Sequence, residues 1–295
     1  MAPTISPGVC DLGNVELHYL EAGVGHLVVC LHGFPDHAPG MISVIGALAD
    51  AGFRAVAPFM RGIAPSTVRA DTYESAALAG DALGIANALA AGEDFSLVGH
   101  DVGARVALHA AVLQADRVRG VVTLGMPHPA VMAAAMAEGG QQLRRAWHEF
   151  VALSPGFAEE LFARDDHAFL SALMATWSPT PPMGPEEWRA LRRTLGARGV
   201  MEAALGPYRA LHGTLPADPV LHASAARATE PVDVDALVVF GSDDGYVLGD
   251  THRRQGDAHF LRELILMEAP AAGHWPHRER PDLVLPAITD FLRRR

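Results

Sequence analysis

The chain has 295 residues, 49% of them hydrophobic and 19% charged. That supplies enough apolar surface for a full core and excludes a disordered chain. Lys and Arg number 23 against 34 Asp and Glu, a formal charge of −11, which argues against nucleic acid or an anionic membrane surface as partner.

The length suits two domains, or one large α/β domain with an insertion. The apolar stretch nearest to a membrane helix, 76–91, is interrupted by Asp81 and Asn87. Two cysteines, Cys10 and Cys30, form neither a disulfide framework nor a zinc-ligand set. Fifteen histidines are many, but none falls in an H-E-x-x-H pattern. Pro276 between His274 and His277 argues against a helical metal pair there. The opening stretch 1–8 lacks a basic region followed by an apolar one, so a soluble cytoplasmic protein is expected.

In chain order, strand-like runs at 9–12 and 15–21 come first. The apolar, β-branched run 27–31 follows and ends at Gly33 and Pro35, as a buried parallel strand should. A helix over 41–51 stops at Gly52, and a strand over 54–57 stops at Pro58. The spacing predicts a long helix over 72–91, with Asp71 as its cap. A strand at 95–98 runs into Gly99-His100-Asp101-Val102-Gly103 and a helix to about Gln114, and another strand covers 118–124. This alternation argues for a parallel sheet covered on both faces. From 129 to 228 the segments read as helical, and alternation then resumes with strands at 236–240 and 264–267 and a last helix near 282–292. The expected organisation is a core of residues 1–128 and 229–295 with a helical cap of residues 129–228. Such an insertion would sit over the carboxyl ends of the strands, where open α/β sheets bind ligands. The basic tail 293–295 reads as a solvated helix end.

Asp101 lies between a strand and a helix in a G-x-D-x-G turn. One reading is a helix cap after a glycine turn. The other is a nucleophile elbow, the G-x-S-x-G arrangement with Asp in place of Ser. Two more segments favour the second. The turn Leu31-His32-Gly33-Phe34-Pro35 and the residue after the nucleophile are where such a fold draws its oxyanion N–H groups, here Phe34 and Val102. His274, between the last strand and the last helix, stands where a base is required, while His32 reads as structural. The acid should follow strand 236–240, where Asp244 is favoured and Asp243 is the solvated-turn alternative. The order Asp101, Asp244, His274 is that of α/β-hydrolases.

With these residues in place, the chain resembles the α/β-hydrolase superfamily and, within it, the epoxide hydrolase and dehalogenase branch with an Asp nucleophile. The matching stretches are His32-Gly-Phe-Pro35, Ala57-Pro-Phe-Met-Arg-Gly62, Val98-Gly-His-Asp101, Met126-Pro-His-Pro129 and Gly273-His-Trp275. The resemblance implies an α/β-hydrolase fold with a mostly parallel central sheet flanked by helices and a helical lid. It also implies two ring-opening donors on that lid. They align with His148, after Gln142-Leu-Arg-Arg-Ala-Trp147, and with Tyr208 in Gly206-Pro-Tyr-Arg209. On the residues alone, the alternatives are that His148 faces solvent and that Tyr208 is a packing residue.

The implied activity is hydrolysis of a small hydrophobic epoxide to a vicinal diol through an Asp101 ester, then attack by water activated by His274. No cofactor or metal is called for, and a homodimer is compatible with this reading. A haloacid or haloalkane dehalogenase using the same Asp is one alternative, and a non-catalytic ligand-binding protein on the same fold is another. Fluoroacetate dehalogenases share an Arg at the place of Arg105, but have Arg at Val102 and Trp at Glu149, so this chain loses a cation and gains a carboxylate there. Phe59 stands where the family has Asp, and nothing in the sequence explains it.

Overall fold

The structure is a computed structural model that describes residues 3–295. Residues 1 and 2 of the amino-terminal stretch lie outside the description. Among the described residues, eight strands form one sheet in the order β1-β2-β4-β3-β5-β6-β7-β8. They are β1 (Ser6–Asp11), β2 (Glu16–Ala22), β3 (Leu27–Leu31), β4 (Arg54–Pro58), β5 (Phe95–His100), β6 (Val118–Leu124), β7 (Ala236–Gly241) and β8 (Leu264–Ala269). β1 and β2 run antiparallel, and β4 through β8 are parallel to one another and to β3.

Strands β3, β5 and β7 are buried along their whole length because helices cover both faces. In β3, Leu27, Val29 and Leu31 point into one core, while Val28 and Cys30 point into the other. The first core is filled from α2 (Ser75–Leu89) and α3 (Val102–Leu113), and the second from α1 (Ile42–Asp50) and the carboxy-terminal helix Pro281–Arg293. That two-sided burial is why these strands read as continuous apolar runs rather than as alternation. The β3–β5 register pairs Leu31 with Gly99, so the loops after both strands open on the same edge of the sheet.

One expected boundary moves. The helix read as starting near Thr72 with Asp71 as cap begins at Ser75, and Glu74 flanks it. The Thr72 carbonyl accepts a hydrogen bond from Arg61 (3.1 Å), and its hydroxyl accepts from the Glu74 amide (3.1 Å). Those bonds hold residues 72–74 outside the helix. Arg61 is itself gripped by Asp81 of α2, with Nε at 2.7 Å and Nη2 at 2.6 Å.

Between β6 and β7 the described elements are helical: α4 (Pro129–Ala137), α5 (Gly140–Arg145), α6 (Trp147–Ala152), α7 (Phe157–Trp177), α8 (Pro185–Leu195), α9 (Val200–Leu211), α10 (His222–Ala225) and a 3-10 turn to Thr229. α7 is broken. Asp165, Asp166 and His167 have φ of 50°, 56° and 62°, and two helices meet there without glycine or proline. Asp and His tolerate this backbone better than most residues. The His167 ring also donates to the Phe162 carbonyl left free by the break, at 2.9 Å. After β7 come α11 (Gly249–Arg253), α12 (Pro276–Glu279) and α13 (Pro281–Arg293). Among the described residues no helix is long and apolar enough to cross a membrane.

Candidate active site

Strand β5 delivers Asp101 to the edge of the sheet in a sharp turn. Its backbone is at φ 52° and ψ −118°, a strained conformation for a residue with a Cβ. The turn is feasible because its neighbours are glycines. A Cβ on Gly99 would lie 2.2 Å from the Gly103 carbonyl oxygen, and one on Gly103 would lie 2.4 Å from that of Leu31. The first helical residue, Val102, follows at once, so Asp101 stands at the amino end of α3, where backbone N–H groups favour an anion.

The Asp101 side chain has no exposed surface. Its Oδ1 accepts from the Phe34 amide at 2.9 Å, and Oδ2 lies 3.3 Å from His274 Nε2. His274 Nδ1 is 2.8 Å from Asp244 Oδ2. The other Asp244 oxygen accepts from the amides of Tyr246 (2.7 Å) and Val247 (3.0 Å). Thus Asp101, His274 and Asp244 are brought together in line, and Asp243 stays in solvent. His32 is structural. Its Nε2 accepts from the Met60 amide (3.1 Å) and its Nδ1 donates to the Gly33 carbonyl (3.0 Å), which shapes the Phe34 turn.

The electrostatics follow from this geometry. Burial alone would raise the Asp101 pKa, but the His274 hydrogen bond and charge, with the Phe34 amide, hold it down to about 2. Burial would lower that of His274. The Asp244 charge and the hydrogen bonds to Asp101 and Asp244 outweigh this and push it up to about 10. At neutral pH His274 is therefore an imidazolium beside the Asp101 carboxylate.

His148 and Tyr208 close over this group. Both are buried, their rings meet edge-on at 5.7 Å between centroids, and Tyr208 packs edge-on against Phe34 at 5.6 Å. Among the described residues the Tyr208 hydroxyl has no hydrogen-bond partner. Neither ring nitrogen of His148 makes a hydrogen bond of normal geometry, although the nearby Arg145 backbone slightly favours its protonated form. Burial pushes the His148 pKa down to about 4, so the ring is neutral at neutral pH. Burial, and then the Asp101 and Glu149 charges, push that of Tyr208 well above its usual value. Both side chains are therefore neutral donors with free capacity. A cavity of about 430 Å³ reaches the site at Val102, lined largely by apolar side chains such as Met132, Met136 and Leu211, with Arg105 and Glu149 among them.

Residues that no sequence motif marks for this role hold these groups in place. Gln142 donates to the Tyr246 carbonyl (3.0 Å) and accepts from the Leu248 amide (3.0 Å), and Arg145 donates to the Asp244 carbonyl (2.5 Å). The Trp177 carbonyl accepts from the amides of Gly245 (3.0 Å) and His274 (3.1 Å). Gln142 and Arg145 stand in the stretch that led to His148, and that position was the available signal. Among the described residues no group of three or more His, Cys, Asp or Glu side chains is disposed to hold a metal ion.

Residues 26–281 match the family model described as the alpha/beta hydrolase fold. The chain belongs to the α/β-hydrolase family. It is a hydrolase, and its curated relatives include epoxide hydrolases. The epoxide hydrolase of Caballeronia sordidicola is 29% identical over 95% of this chain and 91% of its own length. Epoxide hydrolase A of Mycobacterium tuberculosis is 28% identical over 96% of this chain and 95% of its own. Among solved structures, the Bacillus megaterium epoxide hydrolase in complex with an inhibitor superposes with a TM-score of 0.83 at 20% identity. That match covers 97% of this chain and 100% of that one, and it supports the fold of this α/β-hydrolase.

Proposed function

We propose that this α/β-hydrolase opens small hydrophobic epoxides to vicinal diols, with residues 129–228 acting as a cap over the core. The observation that carries the reading is a pair of enclosed donors, Tyr208 Oη and His148, without partners and packed beside a buried carboxylate at an elbow. An epoxide oxygen is the kind of acceptor such a pair lacks. Tyr208 and His148 hydrogen-bond that oxygen while Asp101, ionised without needing a base, attacks a ring carbon. The C–O bond breaks, the developing alkoxide takes the Tyr208 hydroxyl proton while His148 keeps its hydrogen bond, and an Asp101 ester remains.

Ester formation consumes the Asp101 charge. One of the two carboxylates that raise the His274 pKa is then gone, and the ring can return its proton to the Tyr208 oxygen and serve as a base. His274, oriented by Asp244, then takes a proton from water. That water attacks the Asp101 ester carbonyl, whose oxyanion is held by the Phe34 and Val102 N–H groups. The diol leaves and the carboxylate is restored. On collapse the acid formed at Asp101 protonates the departing diol oxygen, which leaves Asp101 ionised and His274 protonated as at the start.

A single cycle in ¹⁸O-water with enzyme in excess tests it. The peptide containing Asp101 should gain the label before the product does. An unlabelled peptide from a sample that has demonstrably formed diol overturns the ester scheme. Halide release from chloroacetate or haloalkanes, with no diol from any epoxide, would overturn the substrate assignment but leave the ester in place.

A further inference from the structure

The scheme above leaves a buried carboxylate beside His148 unused. Glu149 follows His148 on α6, its side chain is 2% exposed, and it faces the cavity beside Val102. Its Oε1 accepts a hydrogen bond from the Tyr246 hydroxyl, and its Oε2 lies 2.7 Å from His212 Nε2. Each partner belongs to a different piece of the site. Tyr246 sits two residues after Asp244 and donates its amide to that carboxylate. Its ring lies against His148 at 4.5 Å between centroids, against His274 at 5.1 Å and against Trp177 at 5.2 Å. His212 caps the carboxyl end of α9, and its amide donates to the Tyr208 carbonyl at 3.0 Å.

We propose that Glu149 is a positioning residue for the reaction. By accepting from Tyr246 and His212 together, it fixes the helix that carries His148 against the helix that carries Tyr208 and the loop that carries Asp244. The inference rests on the ring-opening roles proposed for His148 and Tyr208.

Packing alone does not call for a carboxylate here. Taking a charge out of water is costly, and an apolar side chain of similar size would fill the space at least as well. What the carboxylate adds is direction. Its two oxygens require two specific donors, so the three pieces can assemble in one relative placement only. Burial would raise the Glu149 pKa, whereas the His212 hydrogen bond, the Arg105 charge and the Tyr246 hydroxyl hold it below the usual carboxylate range, so the group is ionised where it acts. Ring opening needs the epoxide oxygen in reach of two donors while a ring carbon faces Asp101, and a displacement of about 1 Å in such an arrangement costs on the order of 100-fold in rate.

The variants are Glu149→Gln, Glu149→Leu, Tyr246→Phe and the double variant Glu149→Gln/Tyr246→Phe. Single-turnover experiments follow ester formation on Asp101 by mass, and thermal melts run in parallel. Glu149→Leu should slow ester formation by about 100-fold, and Glu149→Gln and Tyr246→Phe by about 10-fold each. KM should change little, and the double variant should be no slower than the worse single one. Should Glu149→Leu fail to fold, the other two variants carry the test. Ester formation within twofold of wild type in well-folded Glu149→Gln and Tyr246→Phe overturns the proposal. So does a lowered melting temperature with kcat unchanged.

If the wild-type protein opens no epoxide, the functional reading fails first. Positioning is then read without substrate, from the His148 ring resonances of ¹⁵N-histidine-labelled protein. Those should shift in both Glu149→Gln and Tyr246→Phe, and identical resonances overturn the proposal.

Discussion

His274 sits between two carboxylates, and its protonation is part of what holds the folded chain together. Its pKa rises from an unfolded value of about 6.5 to about 10 in the fold, because Asp244 and Asp101 outweigh the effect of burial. A raised value means that the folded state binds the proton more tightly. The stability from this pairing is therefore fully present below pH 6.5 and declines as pH climbs towards 10. Denaturant melts of wild type and His274→Gln should accordingly differ most near pH 6 and converge by about pH 10. A gap that widens with pH would show the ring to be neutral in the fold. At this scale the sequence was informative where chain order carries meaning. Asp101, Asp244 and His274 were picked out by the strands they follow, and the structure brings the three together. Glu149, Gln142 and Arg145 were silent in that role because their partners lie 97, 104 and 99 residues away in the chain.

Among the elements, the β5–α3 junction is the most demanding. Gly99 and Gly103 let the strand turn into the helix with atoms at van der Waals limits, and the sequence announced this through its spacing. Gly103→Ala would drive a methyl group into the Leu31 carbonyl, and rigid backbone has nowhere to yield. A loss of about 2–4 kcal/mol, or failure to fold, is expected in urea unfolding, against near-neutral behaviour for Gly80→Ala, where nothing lies within 4 Å. Equal effects at the two positions would mean that the elbow relaxes. The start of α2 and the break in α7 were not legible, for the same reason. Both depend on tertiary partners, Arg61 for Thr72 and the Phe162 carbonyl for His167, and local propensity does not register those.

Across the whole molecule, the expected sheet with helices on both faces and a helical insertion before β7 is what the fold contains. Two-sided burial leaves a strong signature in composition, so the central strands were legible almost to the residue. The return path from the insertion is different. Residues 213–221 contain no helix or strand, are mostly exposed, and are tied to the rest by few bonds, such as that from the Asp218 amide to Glu74 (2.6 Å). A broad-specificity protease should make its first cut there and leave two fragments that remain associated. A first cut inside α7, at the break around Asp165, would place the weakest backbone elsewhere.

The backbone of residue 101 carries one more consequence. Its torsions suit glycine, yet the position holds a side chain because the chemistry needs one. Fold robustness and turnover therefore pull in opposite directions at a single Cα. Comparing Asp101→Gly with Asp101→Ala isolates this tension, since both lack the carboxylate and only the second keeps a Cβ. The glycine protein should be more stable by about 1–3 kcal/mol, and equally inert. Directed evolution for thermostability alone, with no selection for product, would be expected to discard this aspartate early.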